Sequence, residues 1–388
     1  MQEVVKILDN DNLGNGIARI DNKVIFVKEA LKDEEVVIKI IGEKKSYATA
    51  VISELKKEST ARVKPSCPYY HRCGGCSFQH CTYEQELAIK ENYVKRLFPK
   101  VTDKIVKTDI YNYRNKVTLH VLNSKIGFYE KKSNTLVEIA KCLLLDERIN
   151  MIIDLLKQIK LPDGSIMIRC SKTTREIMIS TDFIFDYEPL KEKVASIYCN
   201  NKLVYGKPYI KEVLNGLVYT IYPASFFQVN TLGMIKLYDI IKSYANKADS
   251  LLDLYCGTGS IALYLSKNFK KISGLEIVKE AIANANLNKK LNNITNVSFK
   301  NADSKEFKDS KYDVVSVDPP RSGLSKEVIK KLLALEPTRI IYTSCNPNTL
   351  KRDVVLLQDK YELQKVTPVN LFSRTEHVEC VAKLVRKN

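Results

Sequence analysis

Two side chains near the end of the sequence have types and surroundings that suit covalent and acid–base chemistry. Cys345 follows the apolar run 339–342 and stands in the sequence Ser-Cys-Asn-Pro. A thiol at the end of a parallel strand faces the ligand crevice of an α/β sheet and can act as a nucleophile, although a lone Cys is more often a small buried apolar residue. Glu379 begins the last strand-like run and is a candidate general base, and His377 is the rival candidate. Together they predict a reaction that combines a thiolate with a proton acceptor.

A second group of residues indicates a nucleotide-type pocket. The strand-like run 251–255 leads into Cys-Gly-Thr-Gly-Ser, where Gly257 lets the backbone approach a ligand closely, and a helical pattern follows. Glu276 comes nineteen residues after Gly257, about the offset of an acidic residue that binds ribose hydroxyls in doubly wound folds. The next two strand-like runs lead to further polar residues, namely Asn301, Asp303 and Asp318. Because no P-loop Lys is present, the pattern favours an adenosyl cofactor over a triphosphate, and it leaves NAD open.

Four cysteines have the spacing of a metal centre. Cys67, Cys73 and Cys76 form a Cys-x5-Cys-x2-Cys cluster, and Cys142 can supply a distant fourth thiolate. This set suits an iron–sulfur cluster at least as well as zinc, which usually takes two paired knuckles. Cys81 is close enough in sequence to compete as a ligand.

Charge and hydropathy restrict the partners and the compartment. The formal net charge of +17 attracts polyanions, so nucleic acid is the first candidate partner, with a lysine-rich solvated surface as the alternative. No secretory leader pattern follows Met1, and no apolar run approaches the roughly 18 to 20 residues that cross a bilayer. We therefore expect a cytoplasmic protein without membrane association, whose ten cysteines are reduced.

Three segments with different patterns must position these residues. Residues 1–58 alternate apolar and polar positions in short runs and predict a small antiparallel β-barrel. Residues 59–214 start with the cysteine-rich segment and mix strand-like runs with a helical pattern around 149–159, which predicts a mixed α+β central domain. Residues 215–388 alternate strand-like and helical runs and predict a parallel sheet covered by helices. The fold class is therefore multidomain α/β, with a Rossmann-like domain around the adenosyl pocket.

Taken together, the motifs resemble those of the RNA uracil-5-methyltransferases, and in particular the iron–sulfur branch that acts on 23S ribosomal RNA. The resemblance covers nearly the whole chain. The Cys-Gly-Gly-Cys segment, residues 226–230, 318–321 and 344–347, and the terminal His-Val-Glu stand in the order of the family motifs. Residues 1 to about 56 resemble a TRAM domain, an RNA-binding barrel related to the OB fold. The resemblance implies S-adenosylmethionine-dependent methylation of a uracil in structured RNA.

The resemblance also implies roles for individual residues. Cys345 is the implied nucleophile and Glu379 the implied base. S-adenosylmethionine would be bound by Gln228, Tyr255, Gly257, Glu276 and Asp318, with Asn301 or Asp303 near the adenine. A structural or RNA-binding 4Fe-4S cluster in the central domain would be held by Cys67, Cys73, Cys76 and Cys142. The implied RNA contacts are Arg114, Lys116 and Phe226. Ser373 departs from the pattern, since relatives often have Pro there, and this leaves the local turn open.

The chemistry of uracil explains why such an enzyme needs a thiol. C5 is a poor nucleophile, and a thiolate that adds at C6 turns C5 into an enolate carbon. The target base must also lie in a loop or be flipped out of its stack. Three alternatives stay open: the same reaction on a tRNA loop uridine, methylation of an amino group, which needs no thiol, and a non-catalytic RNA-binding assembly factor. No obligate protein partner is implied.

Overall fold

The computed structural model describes residues 2–307 and 311–388, and its first sheet is built from the N-terminal residues. Buried side chains such as Ala18, Ile25 and Val27 alternate with more exposed ones and form a small core of their own. The sheet has the order β1-β5-β6-β4-β3-β2, and its strands are β1 (Gln2–Lys6), β2 (Asp9–Asn10), β3 (Gly16–Ile20), β4 (Lys23–Lys28), β5 (Glu35–Glu43) and β6 (Tyr47–Lys57).

One pairing in this sheet differs from the antiparallel barrel that the sequence predicts. β4 and β6 run parallel, with Ile25 opposite Ala48, whereas the other pairs are antiparallel. The reason is the order of the strands. β3 pairs with one edge of β4, and after β5 the chain returns as β6 along the other edge. Strands that run parallel cannot be joined by a tight hairpin, so β5 lies between β4 and β6 in the chain.

Helix α1 (Tyr83–Leu97) follows the cysteine-rich segment and begins at Thr82, whose side chain accepts a hydrogen bond from the Gln85 N–H. Leu87 and Val94 on its apolar face pack into the same core as residues of the C-terminal sheet. The extended segment after α1 also joins that sheet, since Thr102 and Val106 form bridges to its edge. Part of the range 59–214 thus packs against the C-terminal fold, and the domain boundaries stay a prediction.

The middle of the chain forms a seven-stranded sheet with one helix packed on it. Its order is β13-β12-β11-β10-β7-β8-β9, from β7 (Lys116–Leu122), β8 (Lys125–Tyr129), β9 (Leu136–Glu138), β10 (Gly164–Cys170), β11 (Ile177–Thr181), β12 (Ser196–Cys199) and β13 (Lys202–Gly206). Helix α2 (Glu147–Leu156) begins at Asp146, whose carboxylate accepts the Arg148 N–H. Ile149, Ile153 and Leu156 pack with the inward side chains of this sheet.

The C-terminal sheet has the order β18-β17-β16-β19-β20-β22-β21. A hairpin of β14 (Ile210–Leu214) and β15 (Leu217–Ile221) precedes it. Its strands are β16 (Ala248–Leu254), β17 (Phe269–Glu276), β18 (Val297–Asn301), β19 (Val314–Val317), β20 (Arg339–Ser344), β21 (Tyr361–Val369) and β22 (Glu379–Arg386). The first five in the sheet order are parallel, and β22 and β21 add antiparallel pairs.

Together with α1, five further helices cover the two faces of this sheet, because consecutive residues such as Leu251 and Leu252 are buried on opposite faces. They are α3 (Thr231–Ala245), α4 (Ser260–Tyr264), α5 (Lys279–Leu291), α6 (Lys326–Leu335) and α7 (Pro347–Leu357). Leu252 packs in one core with α1, α6 and α7, whereas Leu251 packs in the other with α3 and α4. The carboxyl ends of the parallel strands meet at one edge, where ligand crevices form in such sheets. Within the described ranges, no helix is long and apolar enough to cross a membrane.

Candidate active site

The register of two neighbouring strands brings Cys345 and Glu379 together. β20 and β22 are antiparallel, with Ser344 opposite Cys380. Cys345 directly follows Ser344, Glu379 directly precedes Cys380, and the Glu379 charge acts on the Cys345 thiol, so the two residues lie close together. Cys345 is partly buried, and Glu379 is 4% exposed. The nucleophile and base candidates therefore lie at the same edge of the sheet as the ends of the parallel strands.

Electrostatics at this edge favour the protonated forms of both groups. Burial, with a smaller contribution from the Asp318 carboxylate, raises the pKa of Glu379 to about 8. Burial and the carboxylates of Glu379 and Asp318 raise the pKa of Cys345 to about 11. The Arg321 guanidinium opposes both shifts, because a nearby cation favours the anionic form of each group. Arg321 is thus a cation whose charge acts on both members of the pair.

Arg321 was not singled out from the sequence, although it directly follows a strand end in Asp-Pro-Pro-Arg. Its Nη2 lies 3.2 Å from Nε2 of His377. Burial and the Arg321 charge lower the pKa of His377, so the ring is neutral and accepts the guanidinium hydrogen. His377, the rival base, therefore contacts Arg321, whereas Glu379 lies close to the thiol.

The turn after β16 has the backbone shape of a ligand-binding loop. Tyr255, Gly257 and Gly259 all have positive φ angles, of 62°, 52° and 78°. A Cβ added at Gly257 would meet no atom within 4 Å, so open space lies beside this backbone. The Gly257 N–H donates to Oε2 of Glu276 at 3.2 Å, and the Val278 N–H donates to Oε1 at 2.9 Å. The glycine turn and the acidic end of β17 thus face each other.

The residues predicted near an adenine occupy the next strand end. The Asn301 side chain donates to the carbonyl oxygens of Glu276 and Ile277, at 3.0 and 2.7 Å. The Asp303 carboxylate accepts the Lys305 N–H, which lowers its pKa. Ile277 was missed from the sequence, yet its apolar side chain is 65% exposed between these polar groups. An exposed Ile directly after the acidic strand end is the signal that could have identified it.

Two carboxyl groups of the crevice are strongly shifted. Burial raises the pKa of Asp318, at the end of β19, to about 7. Asp253 is the last residue but one of β16 and was also missed, because its neighbours Leu252 and Leu254 belong to an apolar strand. Burial, followed by the charge of Asp318, raises the pKa of Asp253 to about 8. Shifted carboxyl groups of this kind concentrate at functional sites.

The segment 226–230 links the crevice to the middle sheet. Gln228 is buried, and its backbone carbonyl accepts from Nδ2 of Asn115 at 3.2 Å. Asn230 ends the segment as the cap of α3, with its side chain accepting the Gly233 N–H. Phe226 is 71% exposed. The predicted RNA-contacting residues Arg114 and Lys116 flank Asn115, so the two predicted contact segments lie next to each other.

The four predicted metal ligands line one cavity of about 510 Å³ between the cysteine-rich segment and the middle sheet: Cys67, Cys73, Cys76 and Cys142. Burial raises the pKa of each of these thiols. Cys81 lies elsewhere, packed with Leu31 and Ile89 and donating to the Phe78 carbonyl. Among residues 2–307 and 311–388, no group of three or more His, Cys, Asp or Glu side chains is arranged to hold a metal ion.

The chain is similar to RNA methyltransferases along nearly its whole length. The family model described as tRNA (Uracil-5-)-methyltransferase matches residues 188–314 and 303–387. Two proteins named as uncharacterized RNA methyltransferases are each 34% identical to the chain. The match to the Oceanobacillus iheyensis protein covers 96% of this chain and 94% of that protein. The match to the Clostridium acetobutylicum protein covers 98% of this chain and 96% of that protein.

A TRAM domain model matches residues 3–52, which confirms the predicted TRAM domain. Among solved structures, the chain is similar to the Pyrococcus abyssi tRNA (uracil-54, C5)-methyltransferase in complex with S-adenosyl-L-homocysteine. The TM-score is 0.82 at 28% identity, and the match covers 98% of this chain and 99% of that one.

Proposed function

Because this chain belongs to the tRNA (uracil-5-)-methyltransferase family, we propose that it methylates C5 of a uridine in structured RNA with S-adenosylmethionine as the methyl donor. The observation that carries the proposal is the position of Cys345 close to Glu379 at the carboxyl edge of the sheet. Neither amino-group methylation nor RNA binding alone requires a thiol beside a carboxyl group at this edge.

In the proposed reaction, the Cys345 thiol loses its proton to water, the thiolate forms a bond to C6, and the electron pair of the C5–C6 double bond moves toward O4, which makes C5 nucleophilic. S-adenosylmethionine, when bound, supplies the methyl group that C5 accepts. Glu379 then takes the proton from C5, the double bond re-forms, and the Cys345–C6 bond breaks. Arg321 stabilises the thiolate by its positive charge, and a base whose pKa is about 8 is matched to proton transfer near neutral pH.

The residues around the glycine turn fit an adenosyl ligand. Open space beside Gly257 admits a ligand close to the backbone, and the Glu276 carboxylate beside it can accept ribose hydroxyl hydrogens. The exposed Ile277 side chain offers an apolar surface for an adenine ring. Tyr255, Asp318 and Gln228 would complete the site, with Asn301 and Asp303 at its adenine end.

For the RNA, we infer 23S ribosomal RNA as the substrate, on the resemblance of the cysteine and catalytic motifs to the iron–sulfur branch. A tRNA loop uridine is the second candidate, favoured by the similarity to an archaeal enzyme described as a tRNA uracil-54 methyltransferase. That similarity extends over 98% of this chain, so the N-terminal barrel does not discriminate between the two RNAs.

Mapping of 5-methyluridine in ribosomal and transfer RNA, from cells with and without the gene, tests the function and the choice of RNA together. We expect one 23S uridine or more to lose its methyl group and to regain it with wild-type protein, but not with Cys345→Ala. Loss confined to tRNA would establish the second candidate. Unchanged 5-methyluridine in both RNAs, with an altered methylated amino group or a ribosome-assembly defect, would contradict uracil methylation.

We further propose that the four-cysteine cavity holds a 4Fe-4S cluster. A single zinc ion takes its sulfur ligands at about 2.3 Å around one point. A cluster of several iron ions is ligated by thiolates spread around a larger volume, which suits four thiols around a cavity of about 510 Å³. The cluster would tie the cysteine-rich segment to the middle sheet, through Cys142.

A further inference from the structure

Among the described residues, one group of cations near the segment 226–230 has no carboxylate in an ion pair with it. Arg169 on β10 stands directly opposite Lys116 on β7, and Arg114 precedes Lys116 by two residues. Arg169 is only 2% exposed. Like charges directly opposite each other in a sheet are destabilising, and a buried charge without a partner costs several kcal/mol. The fold therefore carries an unfavourable feature here that a bound anion would relieve.

The carboxylate of Asp146, a residue that is hydrogen-bonded to Arg114 through its backbone, does not neutralise this group. The Asp146 N–H donates to the Arg114 carbonyl, but its carboxylate pairs with Arg148 and Lys172. The charged neighbours that shift the pKa of Lys116 are both cations, Arg169 and Arg114, and with burial they lower it to about 8. In the described part of the chain, no carboxylate forms an ion pair with any of these three cations.

The Arg169 side chain, which has a donor without a partner among residues 2–307 and 311–388, lies next to the loop that carries the exposed Phe226. Nη1 of Arg169 donates to the Ser225 carbonyl at 2.9 Å, while its buried Nε has no hydrogen-bond partner among the described residues. Ser225 precedes Phe226, whose ring is 71% exposed. A guanidinium with a free N–H and an adjacent ammonium match the oxygens of a phosphate group.

We propose that Arg169 and Lys116, with Arg114 beside them, bind one phosphodiester of the RNA next to the exposed Phe226. The proposal rests on the proposed function and adds to it a defined phosphate site. Arg169 is the buried cation of the site, and Lys116 is the cation that is nearer to solvent. Binding here would fix the register of the RNA strand relative to Cys345, because phosphate contacts position a strand without reading its sequence.

Salt dependence of RNA binding tests the site. All proteins carry Cys345→Ala, so that covalent addition cannot contribute, and the probe is a single-stranded oligouridylate. Lys116→Gln should lower the slope of log Kd against log salt by about 0.7, the value for one phosphate contact on a single strand. Lys116→Arg should keep the parent slope. Lys330→Gln is the matched control, because Lys330 is exposed on α6, which packs on the opposite face of the sheet from Phe227.

A second probe identifies the contacted group as phosphate. An oligouridylate with neutral methylphosphonate linkages should bind the parent and Lys116→Gln proteins equally. Arg169→Gln should act in the same direction as Lys116→Gln, and circular dichroism with thermal unfolding shows whether it stays folded. Equal salt slopes for the parent and Lys116→Gln, or no oligouridylate binding by the parent, would overturn the site. Formation of 5-methyluridine by protein with Cys345 intact is scored separately, so failure of the site and failure of the proposed function are distinguishable.

Discussion

At the scale of single residues, the electrostatics of the Cys345 and Glu379 pair predict a steep pH dependence. The pKa of Glu379 is about 8 and that of Cys345 about 11, so both groups are mainly protonated at pH 7. Each must lose its proton to act, and kcat/KM should therefore rise as the pH increases through 8. Measurement of kcat/KM for methyl transfer between pH 6 and 9 checks the direction of this pH dependence. A rate that falls over this range would contradict the assignment of an initially protonated base.

Replacement of Arg321 by Gln should move this profile to higher pH. The guanidinium is the cation that lowers the pKa of both catalytic groups, so its loss raises both values. At pH 7 we expect kcat/KM to fall by about tenfold or more, since one pKa unit corresponds to a factor of ten. Arg386→Gln, at the far end of β22, is the control and should leave the profile in place.

The glycine turn allows a matched test of cofactor binding. Gly257 and Gly216 have φ angles of 52° and 82°, and a Cβ at either would meet open space. Substitution by Ala should therefore cost each protein a similar stability, about 1 to 2 kcal/mol for a left-handed residue. Only Gly257→Ala should weaken S-adenosylmethionine binding in calorimetry, because Gly216 lies in the β14–β15 hairpin. Equal affinity of both variants would remove Gly257 from the cofactor site.

At the scale of elements, a buried polar network ties α1 to the segment that leads to Glu379. Nζ of Lys90 donates to Oε1 of Glu86 at 2.9 Å and to Oδ1 of Asn370 at 2.6 Å. Oε1 of Glu86 also accepts the Arg374 N–H at 2.9 Å, and the Arg374 carbonyl accepts the Ser77 N–H at 2.8 Å. One network thus connects the cysteine-rich segment with the segment that precedes Glu379, the proposed base.

Lys90→Met should lower the free energy of unfolding by about 3 to 5 kcal/mol, because it removes the shorter of the two ion pairs of the buried Glu86 carboxylate and leaves only Arg374, at 3.7 Å. Lys95→Met is the control, since Lys95 is exposed on the same helix, and its effect should stay within about 0.5 kcal/mol. Urea denaturation measures both. A Lys90→Met protein as stable as the control would show that the ion pair contributes no net stability.

The positions of many helices and strands could be predicted from the local periodicity of apolar residues. The apolar run 339–342 lies within β20, the strand-like run 251–255 overlaps the end of β16, and the helical pattern around 149–159 overlaps α2. The pairing of β22 between β20 and β21 could not be predicted, because register and strand order depend on contacts distant in sequence. That pairing is what brings Cys345 close to Glu379. The roles of Arg321 and Asp253 were missed for the same reason: their charges matter only through neighbours from other strands.

At the scale of the whole molecule, the sequence predicted a basic RNA-associated protein of three differently patterned segments, and the family membership confirms its class. The composition predicts that the net charge is positive, but it does not show where in the folded protein the cations lie. The folded chain brings the cysteine cavity, the exposed Phe226 and the unpaired cations around Arg169 to neighbouring segments. RNA affinity should therefore depend on salt through specific cations as well as through the net charge of +17.

The four-cysteine cavity gives a prediction for the intact protein. Anaerobically purified protein should be brown and contain about four iron and four sulfide per chain. Cys142→Ser should lose most of both, because it removes the ligand that lies farthest along the chain. Cys81→Ser should retain them, since Cys81 packs away from the cavity. Colourless protein with stoichiometric zinc would overturn the iron–sulfur assignment without affecting the catalytic one.

The most direct test of the central claim is the fate of the covalent intermediate in Glu379→Gln. Without the base, the proton at C5 stays in place and the Cys345–C6 bond cannot break. After incubation with S-adenosylmethionine and substrate RNA, denaturing electrophoresis and mass spectrometry should reveal a protein–RNA adduct attached at Cys345. Glu376→Gln, which alters a nearby carboxylate paired with Lys131, should turn over without accumulating an adduct. Normal turnover by Glu379→Gln, or an adduct at another residue, would contradict the pairing of Cys345 as nucleophile with Glu379 as base.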